Sequence, residues 1–191
     1  MADFTLEIVR NIGRSLNTDH NLETFRTDHK LAAVLILVYQ GRSEPEIILT
    51  RRSASLPNHA GQISFPGGNV STKDQSPVET ALREAEEEIA LTTESVEILG
   101  ILDTTVVPSG FAVAPVLAIV DELPPLQPNP GEVDEIFSLP LSLACDLTRY
   151  RTDFLVRDGR KREFYVLDYE HYYIWGATAK MLRTLGQIFK N

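Results

Sequence analysis

The run "LAAVLILVY" at residues 31–39 constrains the fold more than any other segment of this 191-residue chain. It is dense in aliphatic and β-branched side chains and offers no polar face to water. Such a run reads as a central strand covered on both sides, because a strand with one wet face alternates polar and apolar positions. It is too short to span a bilayer, which takes about 20 apolar residues in a helix. "GRSEP" follows as a turn and "EIILTRRS" as a second strand, so the two form a hairpin.

The remaining elements are read around that strand. Asp3 is expected to cap a helix running to about Ser15, with Phe4, Ile8, Ile12 and Leu16 on one face. "SASLPNHAGQISFPGG" reads as loop with a short strand near residues 62–65, and a helix follows from about residue 77 to 90. "VEILGILDTTVVP" and "FAVAPVLAIV" read as strands separated by a turn at residues 108–110. The proline-rich "DELPPLQPNPGEVDE" is a surface connection within one sheet. "LPLSLACDLT" is a short helix opened by Pro140, and "DFLVRDGRKREFYVLDY" a hairpin on Asp158-Gly159. "YIWGATAKMLRTLGQIFK" reads as a terminal amphipathic helix, with Trp175 as its core anchor or, alternatively, a stacking surface for an aromatic ligand ring. Strands interleaved with helices indicate an α/β (α+β) domain with a mixed sheet. The length favours one domain, residues 30–191, with residues 1–29 as a helical extension packed on it.

The formal net charge of -9 argues against a nucleic-acid partner, since phosphate backbones need clustered Lys and Arg. It leaves room for a small phosphorylated substrate. Arg149, Arg151, Arg157, Arg160, Lys161 and Arg162 form the one basic cluster; an exposed hairpin is the plainer reading, and a phosphate-facing patch the alternative. Cys145 is the only cysteine, so no intramolecular disulfide and no cysteine-based zinc site is expected, and a buried structural thiol is the simplest role. "MADFTLEIVR" lacks the basic region and apolar core of a secretory signal. A reducing, cytoplasmic setting with no membrane partner is the expectation.

"SFPGGNVSTKDQSPVETALREAEEEIAL" places two glycines ahead of an acidic helix. Ser76 is suited to the N-cap, Pro77 to the first helical position, and Glu79 completes a capping box. Val78, Ala81, Leu82, Ala85 and Ile89 fall on one stripe. Glu84, Glu87 and Glu88 share an arc of about 100° beside it, where their mutual repulsion calls for a cation. Arg83, at i and i+4 from Glu87, answers part of that need. A hard divalent ion such as Mg²⁺, which takes carboxylate oxygens and substrate phosphate, would answer all of it. Gly67 and Gly68 permit a close backbone approach to a ligand. A solvated acidic face is the plain alternative.

"REAEEEIAL" at residues 83–91 resembles the second half of the Nudix box, G-x5-E-x7-R-E-U-x-E-E-x-G-U. The interval from Gly68 to Arg83 is one residue longer than the box prescribes, its first acidic position falls to Asp74 or Gln75, and Ala90 replaces its glycine. "LTRRSASLPNHAGQISFPGG" at residues 49–68 resembles the signature upstream of the box in coenzyme A pyrophosphatases of the Nudix superfamily. "YYIWGATAKMLRTL" at residues 172–185 is similar to that subgroup's terminal helix.

The resemblance implies an α/β/α sandwich and metal-dependent hydrolysis of a phosphoanhydride. It implies Glu84, Glu87 and Glu88 as ligands of Mg²⁺ or Mn²⁺, with a carbonyl of Gly67 or Gly68 as a further oxygen. It implies Arg83 as the group that holds Glu87 or a loop carboxylate. The proton of the attacking water would go to a box carboxylate, Glu87 or Glu88, or to a distant one, with Glu132 and Glu135 as candidates. Arg52, Ser53, His59, Gly67 and Gly68 would line the pocket for the coenzyme A moiety; for His59 a loop histidine held by a hydrogen bond is an equal alternative. The implied substrate is coenzyme A or a derivative. The alternatives are another nucleoside diphosphate compound, such as ADP-ribose or a dinucleotide, and a non-catalytic binding module. The assembly is open, a homodimer included.

Overall fold

Strand β1 (Lys30–Gln40) is the apolar run, and it lies in the middle of a mixed sheet. It pairs antiparallel with β2 (Pro45–Arg52) through one end and with β4 (Gly67–Asn69) through the other. On its opposite edge it pairs parallel with β7 (Phe111–Val120). Short β3 (Ile63–Ser64) and β8 (Val133–Pro140) pair with β2, while β5 (Glu97–Ile101) and β6 (Thr105–Val106) pair with β7. The structure, a computed structural model, describes residues 4–16, 28–157 and 159–190.

Alternation along β1 feeds two separate cores. Ala33, Leu35 and Leu37 pack with Val78, Ala81, Ala85 and Ile89 of α2 (Pro77–Ile89). Ile36 and Val38 point the other way, into a core shared with Val9 of α1 (Leu6–Gly13) and with Leu182 and Leu185 of α4 (Gly176–Lys190). Helices on both faces leave β1 no polar side, which is the physical reason for its continuous apolar sequence. The result is the expected α/β/α arrangement. A second, antiparallel sheet of β9 (Arg151–Arg157), β10 (Arg160–Tyr169) and β11 (Tyr172–Trp175) follows the short helix α3 (Leu141–Cys145). Among the described residues no helix is long and apolar enough to cross a membrane.

Three strands depart from the sequence reading. Strand β4 is too short to carry a period. Strand β8 reads "VDEIFSLP", whose mixed polarity reflects a largely half-buried position against β2. Strand β11 runs straight into α4, and Gly176 makes the break with φ 65. Trp175 therefore sits on a strand against the ring of Phe164, centroids 5.0 Å apart, instead of anchoring the last helix.

In α1 the cap is Thr5, whose Oγ1 accepts the N–H of Ile8 at 3.3 Å; Asp3 lies outside the described residues. The buried face is Leu6 and Val9, so Ile8, placed inward by the sequence reading, is exposed. Arg10 ties this helix to the domain, donating to Glu97 at 3.0 Å and Asp121 at 2.8 Å. Cys145 is partly buried at the end of α3, and burial pushes its thiol up to about 12, as suits an inert structural group.

Candidate active site

Helix α2 begins as its sequence implies, with one shift. Ser76 Oγ accepts the N–H of Glu79 at 3.1 Å. The Glu79 carboxylate reaches the N–H of Gln75 at 2.7 Å rather than that of Ser76. The buried stripe then places three carboxylates in three different settings. The Glu88 side chain is 3% exposed, that of Glu84 15% and that of Glu87 54%.

Glu88 Oε2 accepts the N–H of Gly67 at 3.2 Å, and Oε1 stands 3.6 Å from Nη1 of Arg52. Burial pushes the Glu88 carboxyl up to about 7, against the pull of the Gly67 N–H and of Arg52. Burial also raises Glu84, opposed by Arg83. Glu132 faces both carboxylates closely enough to disfavour their charged forms.

Arg83 gathers the acidic groups. Its Nη1 donates to Glu84 Oε1 at 2.9 Å and to Glu87 Oε2 at 3.1 Å. Its Nη2 donates to the carbonyl of Asn69 at 3.1 Å and to Asp74 Oδ2 at 3.0 Å, and its Nε to Asp74 Oδ1 at 3.1 Å. Asp74 also accepts from the Ser71 N–H and from Thr80 Oγ1. Arg83 foremost, with these donors, holds its carboxyl down at about 2. Of the two residues weighed for the first acidic position, Asp74 takes it.

The glycines serve the chain's own packing. A Cβ on Gly67 would overlap the backbone of Ala33 and Val34 in β1, and one on Gly68 would overlap the Glu84 carboxylate. The upstream loop meets the site unevenly. Arg52 reaches Glu88, with its Nε buried and without a hydrogen-bond partner. Ser53 is buried at the root of the loop, its N–H donating to the carbonyl of Glu132 at 2.8 Å and its hydroxyl 3.0 Å from that of Ser55. His59 is exposed at φ 58, with Nδ1 2.9 Å from Gln62 Oε1.

The two distant carboxylates part company. Glu135 is committed to an ion pair with Arg51 and to the Tyr172 hydroxyl at 2.8 Å. Glu132 alone faces the helix carboxylates. In the basic cluster, Arg151 pairs with Asp153 and Asp168, Arg149 with Asp146, and Lys161 with Glu163, so these charges are answered locally. The sequence reading passed over Asn129, whose N–H donates to the carbonyl of Glu88 at 2.9 Å. The flanking Pro128 and Pro130 were the one available sign of a fixed backbone there.

The donor set suits a hard divalent cation. Glu84, Glu87 and Glu88 face two guanidiniums, one of which is also committed to Asp74, and Glu132 adds a further negative charge facing Glu84 and Glu88. That leaves excess negative charge on oxygen donors, the chemistry Mg²⁺ and Mn²⁺ accept. Among the described residues no three such side chains already converge as an ion cage. Arg83 Nη1 lies between Glu84 and Glu87, and both would have to turn from it to meet Glu88.

Residues 29–156 match the NUDIX domain family. The chain belongs to the Nudix family. The uncharacterized Nudix hydrolase NudL of Escherichia fergusonii is 41% identical over 185 residues, 97% of this chain and 95% of that protein. NudL of Salmonella paratyphi B is 38% identical over 181 residues, 90% and 94% of the two chains. Among solved structures, the Nudix hydrolase RenU of M. Smegmatis shares the fold at a TM-score of 0.52 and 22% identity, over 62% of this chain and 74% of that one. A C. elegans Ap4A hydrolase shares it at 0.50 and 23%, over 58% and 80%. This Nudix protein is an enzyme, a pyrophosphohydrolase of a nucleoside diphosphate derivative, in a family that works with divalent cations. The acidic helix α2 and strand β4 with Gly67 and Gly68 lie inside the matched residues.

Proposed function

We propose that this Nudix hydrolase cleaves the diphosphate of coenzyme A or one of its derivatives, in the cytoplasm, using Mg²⁺ or Mn²⁺. The products are adenosine 3′,5′-bisphosphate and 4′-phosphopantetheine or its acyl form. The observation that carries this reading is the contact of Arg52 with Glu88. Through it the segment at residues 49–68, which resembles the coenzyme A pyrophosphatase signature, lies directly against the carboxylate helix. Arg52, whose side chain is only partly buried, can meet a substrate phosphate there through its guanidinium.

A divalent ion, when bound, supplies charge neutralisation at the diphosphate and acidifies a water molecule. Glu84, Glu87 and Glu88 would hold it through carboxylate oxygen. The Gly67 N–H orients Glu88, and Arg83, fixed by Asp74, keeps Glu84 and Glu87 on the same side of the helix. Glu132 accepts the proton of the attacking water, since Glu135 is occupied by Arg51 and Tyr172.

The test is turnover of coenzyme A with Mg²⁺, followed by chromatography, against a Glu87→Gln control and beside ADP-ribose. Coenzyme A should give the higher kcat/KM. An ADP-ribose preference above about tenfold, or roughly 1.4 kcal/mol of transition-state discrimination, would overturn the substrate assignment.

A further inference from the structure

Asn129 joins the last turn of α2 to the segment that carries Glu132. Its N–H donates to the carbonyl of Glu88 at 2.9 Å, and its Nδ2 to the carbonyl of Glu87 at 3.4 Å. In the other direction its carbonyl accepts the N–H of Glu132 at 2.9 Å and of Val133 at 2.8 Å, while Oδ1 accepts the N–H of Gly131 at 3.1 Å. The last carbonyls of a helix have no partner within it. Here Asn129 supplies those partners together with Gln127, whose N–H donates to the carbonyl of Ile89 at 3.0 Å. Pro128 and Pro130 restrict the backbone on either side. The bonds to Glu88, Glu132 and Val133 are made by the Asn129 backbone, and the amide side chain, donor at Nδ2 and acceptor at Oδ1, holds that backbone in place between the Glu87 carbonyl and the Gly131 N–H.

We propose that Asn129 is a positioning residue of the hydrolytic site, setting Glu132 at a fixed distance from the Glu84 and Glu88 carboxylates and acting through Glu132. The inference rests on the reading of Glu132 as proton acceptor. An ordinary helix cap would change stability alone. A residue acting through Glu132 loses its effect once Glu132 is neutralised.

A double-mutant cycle distinguishes the two, using Asn129→Ala, Glu132→Gln and the pair. Asn129→Ala should lower kcat for coenzyme A about tenfold with KM within about threefold, and weaken Mn²⁺ binding by calorimetry about tenfold. In the Glu132→Gln background it should cost nothing further in either measurement. Losses that multiply in the double variant overturn the proposal. So does an Asn129→Ala protein with a lowered Tm but wild-type kcat and Mn²⁺ affinity. Should that variant not fold, Asn129→Asp, which keeps Oδ1 and loses the Nδ2 donor, enters the same cycle. If the wild type binds Mn²⁺ but hydrolyses neither coenzyme A nor ADP-ribose, the proposed function fails, and the Mn²⁺ cycle decides the role of Asn129 by the same criterion.

Discussion

The Arg83 guanidinium donates twice to the Asp74 carboxylate, from Nε to Oδ1 at 3.1 Å and from Nη2 to Oδ2 at 3.0 Å. This pair couples the loop after the glycines to the acidic helix, and the remaining nitrogen of the same guanidinium holds Glu84 and Glu87.

Asp74 should therefore govern acid stability. Its folded carboxyl titrates at about 2, below the ordinary 3.8, so its stabilisation is complete above pH 4 and is lost as pH falls through 2. The full contribution is about 2 kcal/mol, of which about 1 kcal/mol should disappear between pH 5 and pH 3. Urea unfolding at the two pH values measures it. Asp74→Asn should flatten this difference; an unchanged slope would show that the pair does not stabilise the fold.

Glu88 has the opposite sign. With its folded carboxyl at about 7, above the ordinary 4.5, the metal-free protein loses stability as pH rises from 4.5 through 7. A bound cation needs the carboxylate, so Mg²⁺ should raise Tm more at pH 8 than at pH 6. Glu88→Gln should stabilise the metal-free protein at pH 8, by about 3 kcal/mol at most, and remove most of the Mg²⁺ effect. An equal Mg²⁺ shift at both pH values would refute this assignment.

Gly67 and Gly68 should respond differently to alanine. At Gly67 the new Cβ meets the backbone of Ala33 and Val34, which cannot yield, so Gly67→Ala should lose about 2 kcal/mol or more by urea unfolding. At Gly68 the nearest atoms are those at the end of the Glu84 side chain, which can swing away. Gly68→Ala should keep a near wild-type Tm and lose Mn²⁺ affinity about tenfold by calorimetry. Wild-type Mn²⁺ affinity in Gly68→Ala would exclude Glu84 from the metal site.

Ala90 caps α2 in the left-handed conformation, φ 53 and ψ 36, and is exposed. An alanine there is strained where glycine is not. Ala90→Gly should stabilise by about 1 kcal/mol with kcat unchanged. Unfolding at the wild-type urea midpoint would contradict the strain.

Some of this architecture was legible in local sequence. The apolar run of β1 could only be buried on both faces, and Ser76, Pro77 and the stripe from Val78 to Ile89 marked α2 because caps and helical period act within a few residues. The same period grouped Glu84, Glu87 and Glu88. Other features had no local signal. Strand β11 looked continuous with α4, since only the positive φ of Gly176 separates them. The shared arc on α2 could not rank its carboxylates; the sheet decided that Glu88 is buried and Glu87 is not.

The sequence by itself determined which carboxylates share one helix face and that α2 would be covered on its apolar side. Only the tertiary structure decided that Asp74 rather than Gln75 holds Arg83, and that Glu132 rather than Glu135 faces the helix. The reason is that pairing between charges distant in sequence depends on where the sheet brings the chain back. Strand β8 carries Glu135 to Arg51 and Tyr172, whereas Asn129 and Ser53 fasten the residue just before that strand, Glu132, beside Glu88.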